Sequence, residues 1–194
     1  MMDFRFLWDR IRLLVLDPEK AWYTICNESK PTGFIRNSFF LPLVILAAIS
    51  AFFGSLLFTN TGVSTAYSVL AGIKYLVLYT SVVYTTTYVY MKITSYLNIK
   101  NDIQISFKII VFSAAPFLLC QIISRLFESF IFINILSLYG LYLLWLGNER
   151  LIDPPEKLKT PLLLAGAIVF TGFFIIFDRL LTTIVDRVYF AFFA

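Results

Sequence analysis

Five long apolar runs, at 39–58, 68–90, 105–123, 130–146 and 161–177, dominate this chain, and none contains an Asp or Glu. A helix needs roughly 17–25 such residues to cross about 30 Å of hydrocarbon. Hydrocarbon offers backbone amides no water, so spanning structures are helices or closed barrels. A barrel would show alternating strands of about ten residues; continuous runs read as helices. Composition agrees. The chain is 59% hydrophobic and 14% charged, where soluble domains run about 45–50% and 25%. The expected fold class is an all-α integral membrane protein: a five-transmembrane-helix bundle with a cytoplasmic amphipathic N-terminal segment.

Polar breaks separate the runs: Thr59-Asn60-Thr61-Gly62, then Asn98 to Asp102, Ser124-Arg125 with Glu128, and Gly147 to Lys157. Orientation follows from the Lys/Arg bias of short loops. Arg5, Arg10, Arg12, Lys20, Lys30, Arg36, Lys92, Lys100, Arg150, Lys157 and Lys159 fall on one side; Arg125, Arg179 and Arg187 fall on the other. Eleven against three puts the N-terminus in the cytoplasm, and an odd number of spans sends the C-terminus out. The expected division is 1–36 as cytoplasmic interfacial helices, 37–177 as the membrane domain and 178–194 as an extracytoplasmic segment, either interfacial or an extension of span five.

Within 1–36, Phe4, Leu7, Trp8 and Ile11 recur at helical spacing, with Arg5 and Arg12 on another side. Such a helix lies flat in the membrane interface or packs its apolar face onto the bundle. Asp17-Pro18 reads as a stop and restart: Asp caps a second helix whose first residue is Pro, with Ala21, Trp22 and Ile25 on one face.

Reactive chemistry has little to work with. The chain has no His and two cysteines, Cys26 and Cys120, far apart, which removes the commonest general base and any zinc spacing. No carboxylate sits in a span and no glycine-rich phosphate loop is present. The reading is a protein that is not an enzyme and needs neither cofactor nor metal.

Two cations do fall inside runs. Lys74 and Lys108 each lie a few residues from a run's end, placed either to snorkel to lipid headgroups or to hold a buried anion. Span two is rich in hydroxyls, from Tyr75 to Tyr90, which either bond helix to helix or line a pathway. Ala47, Ala51, Gly54 and Ser55 form a small-residue row suited to close helix packing, within the chain or in a homodimer. Pro42 and Pro116 remove backbone donors and kink or begin their helices.

Several landmarks together resemble a known family: Pro18-Glu19-Lys20-Ala21-Trp22 with Ile25 and Glu28, Ala114-Ala115-Pro116, then Leu136 to Tyr142, Leu146-Gly147 and Pro155-Glu156-Lys157. The chain looks like the bacterial branch of the Yip family, small five-span proteins named for interaction with Ypt/Rab GTPases. The family's eukaryotic members carry a longer cytosolic N-terminal region and an Asp-Leu-Tyr-Gly-Pro type of motif, which this sequence lacks. What the resemblance implies is the five-span architecture, with its N-terminus inside, in a bacterial inner membrane.

The expected function is a non-enzymatic membrane organiser. Its expected partners are membrane lipids, anionic ones above all, with a membrane-protein partner or homo-oligomer beside them and no nucleic acid. The alternative is a small channel or transporter for an anion or lipid-like solute, built on span two with Lys74 or Lys108.

Overall fold

The computed structural model describes residues 4–28, 30–58, 65–99 and 101–192. The break at 59–62 and Lys100 lie outside the described residues. Among those residues every regular element is helical: α1 (Phe4–Leu16), α2 (Pro18–Asn27), α3 (Thr32–Ile35), a π turn (Arg36–Phe40), α4 (Leu41–Phe58), α5 (Thr65–Tyr96), α6 (Ile103–Ser113), α7 (Ala115–Leu126), a 3₁₀ segment (Glu128–Leu138), α8 (Tyr139–Leu151) and α9 (Glu156–Phe192). Thr32–Leu57, Thr65–Tyr96, Phe130–Leu151 and Glu156–Phe192 are long and apolar enough to cross a membrane. The α6–α7 pair, bent by 41°, makes a fifth span when taken as one. This is an all-α multi-pass membrane protein.

The irregularities have local causes. Pro42 has no N–H to give the Ser38 carbonyl and its ring crowds that oxygen; the chain widens into a π turn just before it. Pro116 deprives Phe112 in the same way, and span three bends at Ala114 (φ −77°, ψ −9°). Asp17 caps α2 by accepting from the Lys20 amide at 3.1 Å, with Pro18 in the first turn. Asp102 caps α6 through the Ile105 amide at 2.7 Å. Asn98 and Asp153, at φ 56° and 48°, take the left-handed conformation that closes α5 and α8; Asn and Asp tolerate it better than most residues.

Helix α5 is the hub, packed on α4 along one side and on α9 along another, while α4 meets α7 and α6 meets α8. Helices α1 and α2 mark one end of the bundle; the turn from α7 into the 3₁₀ segment marks the opposite end. Helix α9 is unbroken for 37 residues, about 55 Å of helix, longer than the bilayer core. Residues 178–192 are thus a helical continuation of span five. Only Leu162 and Gly166 of α9 are buried.

Candidate functional site

At the α1 end, the periodicity of α1 resolves into two faces. Phe6, Leu7, Arg10 and Leu14 are buried against the bundle, whereas Phe4, Trp8, Val15 and Leu16 are exposed and Ile11 is half-buried. Phe4, Trp8 and Val15 line up on the outward side, with Ile11 at its edge packed against the core. Arg5 and Arg12 beside it are exposed.

Arg10 is different. Its side chain is 5% exposed, and its Nη2 donates twice to Glu28, at 2.8 Å to each carboxylate oxygen, tying α1 to the end of α2. The buried Nη1 has no hydrogen-bond partner. Lys30 extends the cluster, its ammonium 4.3 Å from the Phe6 ring and 4.7 Å from that of Phe34. Tyr139 donates to the Leu14 carbonyl at 3.0 Å. Helix α2 is sunk deeper. Ala21, Trp22 and Ile25 are buried, and the Trp22 ring lies edge-on to Phe112 with centroids 6.1 Å apart. Gly147 makes the notch: a Cβ there would come within 2.7 Å of the indole.

The opposite end carries a polar network. Lys74 on α5, 10% exposed, sits 2.8 Å from the Asp178 carboxylate on α9. Its ammonium lies 4.7 Å from the Tyr75 ring, and the Arg125 guanidinium lies 4.3 Å from the same ring. Tyr75 stacks on Tyr79 at 5.8 Å. Tyr79 and Arg125 both donate to the Gln121 side-chain oxygen, at 3.1 and 3.2 Å, and the Gln121 amide donates to Asn134 at 3.1 Å. Lys108 is half-buried on α6, and no described acidic group pairs with it. The structure therefore keeps Lys74 and Lys108 apart and gathers Lys74 with Tyr75, Arg125, Gln121 and Asp178. Sequence reasoning passed over the last three. Gln121 was visible as a lone amide inside an apolar run. Asp178 came into reach because α9 continues past that run.

Some of the other hydroxyls of α5 bond locally or across helices, while those of Thr80 and Thr86 are buried without a partner. Tyr90 donates to Asn148 at 2.6 Å, Thr87 to the Val83 carbonyl at 2.8 Å, and Asn101 to Thr94 at 3.0 Å. The small-residue row packs within the chain: Ala47 and Ala51 are buried, Gly54 faces the α7 backbone so closely that a Cβ would sit 1.8 Å from the Arg125 carbonyl oxygen, and Ser68 donates to Ser55 at 3.2 Å. Among the described residues no group of three metal-ligating side chains is assembled.

With this geometry in place, a family model for the Yip1 domain matches residues 11–183. The chain belongs to the Yip1 family. The Yip1 match runs from the last part of α1 through most of α9, so the fold described above is the family's region almost entire. The exposed Phe4 and Trp8 lie just before it. No curated protein matches the chain, and no solved structure does.

Proposed function

We propose that this Yip1-family protein is a non-enzymatic organiser of a bacterial cytoplasmic membrane, with its N-terminus inside, that engages anionic lipid through α1. The observation that carries this reading is the division of labour on α1. One face is locked down by Leu7, Leu14 and the Arg10–Glu28 pair, and the other offers Phe4, Trp8 and Val15 beside Arg5 and Arg12. An amphipathic helix of this make inserts its apolar stripe at the headgroup boundary. Each basic residue near an anionic surface adds about 1 kcal/mol.

The test uses the whole protein. Purified in mild detergent, it should retain anionic phospholipid, read by native mass spectrometry, in preference to zwitterionic lipid. Arg5→Gln with Arg12→Gln should lower that preference several-fold. An unchanged lipid profile would sink the proposal. A co-purifying protein in stoichiometric amount, lost on Trp8→Ala, would reassign the stripe to a partner.

The transport reading is supported by a separate observation, the Lys74–Asp178 pair joined to Arg125 through Tyr75 between helices of the bundle. It requires anion flux in reconstituted vesicles that Lys74→Leu abolishes. A silent parent protein would count against it.

A further inference from the structure

Beside the bend of span three lies a pocket of about 340 Å³, at the small end of the roughly 300–1,000 Å³ of ligand sites. Its making can be traced residue by residue. Pro116 bends α6 from α7 by 41°. Gly140 lets the start of α8 approach the bend, since a Cβ there would lie 2.6 Å from the Ser113 carbonyl oxygen. Gly166 lets α9 close onto Leu144 and Tyr90 at one end. Beyond Gly166, α9 follows α5, and a gap opens between it and the 3₁₀ segment. Phe117, Leu141, Phe170 and Phe174 form the walls, with Ser113, Ser137 and Thr171 the hydroxyl-bearing residues among the lining.

One of those hydroxyls is anomalous. Ser137 donates to the Asn134 carbonyl at 2.5 Å. Ser113, 8% exposed, has a buried hydroxyl with no hydrogen-bond partner. Several buried polar atoms among the described residues lack a partner, and Ser113 is the one that lines this pocket. Water is a poor solution, because a trapped molecule needs two to four polar partners and these walls are largely apolar. Depth limits the answer further. Ser113 lies ten residues from Ile103, about 15 Å along the helix, half the roughly 30 Å of a hydrocarbon core. The ester oxygens of a phospholipid stay at the interface, so its tail alone would leave Ser113 unanswered. Ile168 and Ile175, each one residue along α9 from a lining residue, are exposed, so apolar surface lies next to the lining on that helix.

We propose that this pocket binds a bilayer-dissolved apolar molecule bearing one hydroxyl or carbonyl oxygen, held by the Ser113 hydroxyl and flanked by Phe117, Phe170 and Phe174. The inference deepens the lipid-binding reading but rests on a different surface from α1, so either can fail alone. The full chain, reconstituted in nanodiscs, is exposed to a long-chain alcohol carrying a mid-chain diazirine, irradiated, and mapped by mass spectrometry. Labelling should concentrate on α7, α8 and residues 167–174. Unlabelled alcohol should compete, and an alkane of equal length should not. Ser113→Ala should weaken labelling about tenfold, on the scale of a lost buried hydrogen bond, with the unfolding midpoint kept. Ala167→Phe, which fills the pocket, should abolish it, whereas Leu164→Phe on the exposed face should change nothing. Labelling spread along the lipid-facing helices, equal competition by the alkane, or indifference to Ser113→Ala would each overturn the proposal. The first two of these would identify an ordinary lipid tail as the occupant. Should Ala167→Phe fail to fold, the Ser113→Ala and alkane arms still decide.

Discussion

The two ends of the bundle are tied by different physics. At the α1 end, large rings fill small notches: Trp22 against Gly147, and Phe39 against Phe112 at 4.7 Å. A single ion pair, Arg10–Glu28, closes that assembly. At the opposite end the helices meet backbone to side at Gly54, and the surrounding side chains form a polar network from Lys74 to Asn134. The contrast teaches where each device is needed. Helices α1 and α2 are attached from outside the spans and must gain contact area through aromatic burial. Spanning helices already lie side by side in lipid, where close approach of small residues and interhelical hydrogen bonds hold them.

Four sets of substitutions test this difference between the ends. The largest effect is expected for Gly54→Ala. The added methyl meets the Arg125 carbonyl, so α4 and α7 must separate, at about 3 kcal/mol or more. A thermal unfolding midpoint in detergent that stays put would refute close contact at this end. Next comes Glu28→Gln, which leaves the buried Arg10 guanidinium without its counter-charge and costs roughly 2–4 kcal/mol. Pairing it with Arg10→Met should recover most of the loss in the same assay, because both charges then leave together. Gly147→Ala should expel Trp22 from its notch for about 1–2 kcal/mol, seen as faster proteolysis at the α2–α3 junction. Smallest is the coupling between Lys74→Met and Asp178→Asn. Asp178 is 30% exposed, so a double-mutant cycle should read below about 1 kcal/mol. A coupling several times larger would show that the polar end, like the α1 end, depends on one dominant pair.

Much of the fold was legible because it depends on local chemistry. Helix α2 begins where Asp17-Pro18 said it would, and Ala21, Trp22 and Ile25 all face inward. Pro42 and Pro116 mark a π turn and a 41° bend, although which would widen and which would bend was not readable, since that depends on what packs beside them. The candidate site was less legible. Lys74 stood out, but its partner Asp178 lies on another helix, beyond a run that looked finished. Arg10 read as one more interfacial cation beside Arg5 and Arg12; only the approach of Glu28 across the α1–α2 corner turned it into a buried tie.

By itself the sequence determined the membrane habit and helical class of this protein, for a reason that needs no tertiary contact. Unbroken apolar runs free of carboxylates have no better solvent than hydrocarbon, and there a chain must hydrogen-bond within itself. Tertiary structure alone decided which polar groups meet. Arg10 with Glu28, Lys74 with Asp178 and Tyr90 with Asn148 are each pairings between separate helices. It also decided where space is left over, because the gap beside Ser113 exists only through a bend in span three, two glycine contacts and the line α9 takes along α5. Solvent preference is summed residue by residue along the chain; pairing and cavity shape depend on how elements distant in sequence come together.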